Sequence, residues 1–159
     1  MQLGNQNVEE RRSESHSLIQ DLVRMRTEML SLYSQLAAGR PFTDDDGVVD
    51  LLEEFCEVLV DYTASAHFRL YRFLEEDRER RRAVLELAER VYPRIAEITQ
   101  AIVDFNDRYE DAGKDGCLPG LEKDLSRLGE KLAERIELED QLIDVMCMPR
   151  QRARRGLDS

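Results

Sequence analysis

Asp61, Ser65, Phe68 and Arg72 recur at steps of four, three and four residues, the spacing that stacks side chains on one face of a helix. Glu57 falls on the same face one turn earlier. A carboxylate, a hydroxyl, an aromatic ring and a guanidinium in that order suit recognition rather than bond making. The ring can anchor a partner while the charges form an electrostatic rim. The plainer alternative is that another segment of the chain covers this face. A second constellation lies near the other end of the chain. Leu121, Leu125, Leu128 and Leu132 keep strict helical register, Arg135 and Glu139 continue it, and Leu142 and Met146 complete it. Two charges on an apolar seam must either pair with each other at i,i+4 or reach polar groups such as Tyr62, Thr63 or His67. Tyr62, His67, Arg135 and Glu139 are therefore expected to form a structural polar network. Asp140, beside the seam, is the expected contact residue for a partner.

Catalytic chemistry finds no set of residues to carry it. Ser65 and His67 are two residues apart and so point to different sides of a helix, and no cysteine has a partner in the sequence. Gly113-Lys114 lacks the rest of a phosphate-binding loop. A di-iron bundle needs Glu-x-x-His on two helices, but the residues three before His16 and His67 are Ser13 and Ala64. The expectation is a protein that is not an enzyme and uses neither metal nor cofactor. His67 reads as a hydrogen-bonded core histidine that orients a neighbour.

The elements that must position these residues are helices. Charged residues make up 36% of the 159 and aromatics 6%, with 8 Gly, 4 Pro and no Trp. Val48 to about Glu76 reads as one long helix. Leu52, Phe55, Leu59, Tyr62, Ala66 and Phe73 form one apolar stripe of it. Val60, Ala64, His67, Tyr71 and Leu74 form a second, with Cys56, Thr63 and Leu70 between them. So wide an arc predicts a helix buried on two sides, with Asp50, Glu54, Glu57, Asp61, Ser65 and Arg72 on the remaining face around Phe68. Before it, Leu18, Leu22, Met25, Met29, Leu32 and Leu36 mark a helix beginning near Ser13 or earlier and ending at Ala37-Ala38-Gly39, with Pro41 beyond. Thr43-Asp44-Asp45-Asp46-Gly47 is turn and N-cap chemistry. Val84, Leu87, Ala88 and Val91 precede Pro93, and Ile95, Ile98, Ile102, Phe105 and Tyr109 follow it, giving either two helices or one kinked helix over 83–110. Pro119 suits the start of the last helix. The prediction is an all-α, antiparallel four-helix bundle with additional short helices, comprising a flexible N-terminus 1–12, a bundle domain 13–148 and a basic disordered tail 149–159.

The formal charge is −11, and Arg150, Arg152, Arg154 and Arg155 against Asp158 give the tail +3, which leaves −14 on residues 1–148. So acidic a body repels nucleic acid and attracts basic protein surfaces. Without interleaved aromatics the tail reads as a solubilising end, and no direct DNA binding is expected. Cys56 and Cys147 read as small core residues and Cys117 as a loop residue, so a reducing cytoplasm is expected. No apolar run reaches membrane length, so no membrane association is expected either.

Phe55-Cys56, then Leu59-Val60-Asp61-Tyr62, then His67-Phe68 and Tyr71 resemble the signature of the bacterial Rsd/AlgQ family of sigma D regulators. Gly129-Glu130, Leu132, Arg135, Leu138-Glu139-Asp140 and Leu142-Ile143 are a second match, and length and acidity agree. The segment departs from the family pattern at Ala64-Ser65-Ala66, where Ser-Ala-Gly is expected. The resemblance implies a helical, non-enzymatic anti-sigma factor. Its partner would be region 4 of the primary sigma factor, the C-terminal part that reads the −35 promoter element. Residues over which such contact is expected are Glu57, Asp61, Ser65, Phe68, Arg72 and Asp140. The protein would be a cytoplasmic monomer or weak homodimer. The alternative is a helical scaffold or homodimer whose seams pack against a second copy.

Overall fold

The computed structural model describes residues 2–40, 42, 46–76, 81–111 and 118–147, with the side chains of 2–15, 46, 71, 73–76 and 81 excepted. Four helices account for nearly all of this: α1 Gln2–Ala38, α2 Asp46–Glu76, α3 Arg81–Tyr109 and α4 Leu121–Cys147. α1 starts at Gln2, so it takes in most of the segment expected ahead of the first helix. Thr43 to Asp45, Cys117 and the Arg-rich tail lie outside the described residues.

Consecutive helices pack together, and α1 meets α4 more sparingly. Tyr33 near the end of α1 touches Phe55 near the start of α2, Phe55 touches Phe105 near the end of α3, and Tyr109 at the end of α3 bonds Asp124 at the start of α4, so neighbours run antiparallel. The expected bundle is the observed one. Its centre holds Met29 and Leu36 of α1, Leu52, Phe55, Leu59 and Tyr62 of α2, Ile98 and Ile102 of α3, and Leu121 and Leu125 of α4. Each large apolar side chain so enclosed contributes about 1.5–3 kcal/mol through burial.

Pro93 does not divide α3. Val84, Leu87, Ala88 and Val91 before it and Ile95, Ile98, Ile102, Phe105 and Tyr109 after it are all buried on one stripe. Pro93 itself is exposed, so its missing N–H falls on the solvent side and the packed stripe carries the helix through. At the other end of the bundle α4 begins two residues beyond Pro119, after Gly120 at φ +91°, a left-handed turn that favours glycine.

α2 departs from its expected burial. The stripe Leu52, Phe55, Leu59, Tyr62 and Ala66 is buried, as is Cys56. Val60 is 41% exposed, and Ala64 and His67 are exposed as well. Tyr71, Phe73 and Leu74 lie outside the described side chains. A corner helix in a bundle faces both neighbours and the core over one inward arc, so apolar residues beyond that arc meet solvent.

Candidate functional site

On the outer face of α2, Phe68 is 62% exposed. Glu57, Asp61 and Arg72 are exposed around the same line, and Ser65 is half-buried. The helical step fixes this alignment: Phe68 stands one turn from Arg72 and one from Ser65. Ser65, Phe68, Arg69 and Arg72, with Ala64, line one wall of a surface hollow of about 360 Å³, and Leu18 of α1 supplies the other. Arg69 crosses to α1, where its Nη1 donates to Asp21 Oδ2 at 3.4 Å. The exposed ring is thus set in a groove edge between α1 and α2, with the acidic side chains Glu57 and Asp61 toward the N-terminal end.

Behind this face lies a buried polar cluster drawn from all four helices. Arg135 and Glu139 of α4 are 3% and 6% exposed. Tyr62 Oη donates to Glu139, 2.7 Å from Oε1 and 3.0 Å from Oε2. Arg26 Nε of α1 donates to Tyr62 Oη at 3.1 Å. Arg135 Nε stands 3.5 Å from Glu139 Oε1, and its Nη1 donates to Thr99 Oγ1 of α3 at 2.7 Å. Burial pushes the Glu139 carboxyl above its ordinary pKa, while the Arg135 charge and the Tyr62 hydrogen bond pull the other way. Burial, then the charge of Glu139, drive the Tyr62 phenol well above its usual range.

Three sequence expectations change here. Asp140 is exposed, yet Arg26 Nη1 donates to its Oδ1 at 2.7 Å, so the expected contact residue already has a partner within the chain. His67 is exposed rather than a core residue, because its stripe lies beyond the inward arc of α2. Cys147 is exposed as the last residue of α4, whereas Cys56 is buried, its thiol pushed up to about 12 by burial and held inert. Arg26 and Thr99 were missed. Both sit at helical spacing from seam residues, Arg26 between Leu22 and Met29 and Thr99 between Ile95 and Ile102, and that spacing is the signal.

The arrangement holds a surface in place rather than a reacting pair. Among the described residues no group of three His, Cys, Asp or Glu side chains could hold a metal ion, and no helix is long and apolar enough to cross a membrane.

Residues 1–147 match the family described as "Regulator of RNA polymerase sigma(70) subunit, Rsd/AlgQ". Among curated proteins, "Regulator of sigma D" of Yersinia enterocolitica is 34% identical over 134 residues, covering 81% of this chain and 80% of that protein. The protein of the same name from Yersinia pestis is also 34% identical, over 81% and 79% of the two chains. That of Salmonella arizonae is 30% identical over 142 residues, or 87% and 86%. No solved structure matches.

Proposed function

The chain belongs to the Rsd/AlgQ family of RNA polymerase sigma(70) regulators, and from that premise we propose that it is a non-enzymatic anti-sigma factor that grips region 4 of the primary sigma factor. The observation that supports this most is Phe68, an aromatic ring 62% exposed on a face bearing Glu57 and Asp61. Leaving a phenylalanine in water forgoes about 1.5–3 kcal/mol of burial, which a partner recovers by covering it.

Region 4 reads DNA through a basic helix-turn-helix. In the proposed complex Phe68 anchors one of its apolar side chains, with the hollow beside Leu18 as the receiving space. Glu57 and Asp61 meet Arg and Lys side chains that otherwise contact phosphates, and the net charge of −11 steers the approach. Sigma held this way cannot engage promoter and core polymerase together, which frees core for other sigma factors. The mechanism needs no bond making and takes place in the cytoplasm.

Calorimetric titration with the isolated C-terminal region of the host's primary sigma factor, at two salt concentrations, tests the reading. One-to-one binding that weakens with salt is the expected result. Absence of heat and of a complex by gel filtration overturns it, and a tight homodimer burying Phe68 would favour the scaffold instead.

A further inference from the structure

Where the N-terminal half of α1 approaches the C-terminal half of α4, the bundle does not close completely. A cavity of about 40 Å³ remains, walled by Leu18 and Leu22 of α1, Leu70 of α2, Ile95 of α3, and Leu142 and Met146 of α4. That is some three times the least volume that holds one water. Arg135 and Arg69 line the same cavity, and the Nε of each is buried without a hydrogen-bond acceptor. Arg135 is 3% exposed. Its Nε has only the 3.5 Å approach of Glu139 Oε1, while Arg69 spends its Nη1 on Asp21 at the outer edge. Two guanidinium N–H groups left without acceptors in an apolar chamber carry a desolvation cost that an occupant can remove.

We infer that this cavity is a binding site for a small monocarboxylate of the size of acetate. Asp21 reaches Arg69 only through Nη1 at 3.4 Å and Glu139 stands 3.5 Å from Arg135 Nε, so the Nε–H of each guanidinium stays open to a further carboxylate. A planar O–C–O group matches guanidinium donors better than a spherical halide does. The apolar walls favour a methyl group over a second polar end, which is the general composition of small-ligand sites. His67 and Tyr92 also border the cavity, at its wall toward α2 and α3. The inference stands on this cavity alone and is independent of sigma binding.

The test is a titration of the full chain with sodium acetate against sodium chloride at equal ionic strength. It follows the methyl resonances of Leu22 and Leu142 and the Arg side-chain Nε–H signals. Saturable shifts with acetate, weaker with its neutral isostere acetamide, are expected. Arg69→Gln, which leaves the deeper Arg135 pairing in place, should weaken acetate about tenfold while the melting temperature holds. Shifts that merely track ionic strength, or an acetate response equal to that of acetamide, overturn the proposal and leave water as the partner of both groups. An unchanged acetate affinity in folded Arg69→Gln also overturns it.

Discussion

The Tyr62 hydroxyl donates to Glu139 at 2.7 Å while accepting from Arg26 Nε at 3.1 Å, so one buried oxygen ties α1, α2 and α4 together. Tyr62 neighbours Asp61 in sequence and faces inward where Asp61 faces out. The exposed face that carries Asp61 and Phe68 and the buried polar cluster are therefore different sides of the same stretch of α2. A change in the cluster acts on the backbone that presents the face.

Tyr62→Phe removes that oxygen and keeps the ring. Glu139 and Arg26 then lose an acceptor-donor partner in surroundings with little water, at a cost of about 1–3 kcal/mol. Urea denaturation should register a lower midpoint with an unchanged slope. A midpoint equal to wild type would mean that Glu139 finds its hydrogen bonds elsewhere.

Phe68→Ala separates recognition from folding. The exposed ring contributes little to the core, so stability should change by less than about 0.5 kcal/mol, while Phe55→Ala should cost about 3–5 kcal/mol. Affinity for the sigma C-terminal region should fall sharply in Phe68→Ala, and fall moderately with a reduced salt dependence in Asp61→Ala. Calorimetry reads both.

Glu139→Gln addresses the raised carboxyl pKa. A carboxyl whose folded pKa lies above its unfolded one holds its proton more tightly when folded. Its contribution to stability is fully present below the unfolded value of about 4.3 and is lost as pH rises through the folded value. Other carboxylates slope the opposite way, so the quantity to follow is wild type minus variant. That difference should decline with rising pH across this window. A flat difference would place the Glu139 pKa at its ordinary value.

Gly129→Ala should destabilise, although alanine is the better helix former by about 1 kcal/mol. A Cβ at position 129 would lie 2.8 Å from Tyr33 Cζ, and Tyr33 Oη donates to the Leu125 carbonyl at 2.9 Å. The ring is also packed on Phe55, 5.9 Å between centroids, so it cannot swing aside without loss. In a Tyr33→Leu background the same alanine should become neutral or stabilising. Thermal melts of the four proteins decide it.

Periodicity in the chain determined the helical segments, their buried seams and the outward placement of Asp61, Phe68 and Arg72, while the continuity of α3 through Pro93 was left to the packing. Those follow from residue spacing on a helix, which needs no knowledge of neighbours. The sequence also marked Arg135 and Glu139 as charges on an apolar seam, because a break in pattern is itself a signal. Which groups answer them was a tertiary matter. Glu139 meets Tyr62 and Arg26, Arg135 meets Thr99, and Asp140 turns to Arg26, partners up to 114 residues away that only the packing of helices brings together. The second apolar stripe of α2 illustrates the same division. Val60, Ala64 and His67 have the spacing of a buried arc, but how much of a helix is covered depends on how many neighbours it has and at what angle they lie. A wheel gives direction, and only the assembled bundle says which directions lead inward.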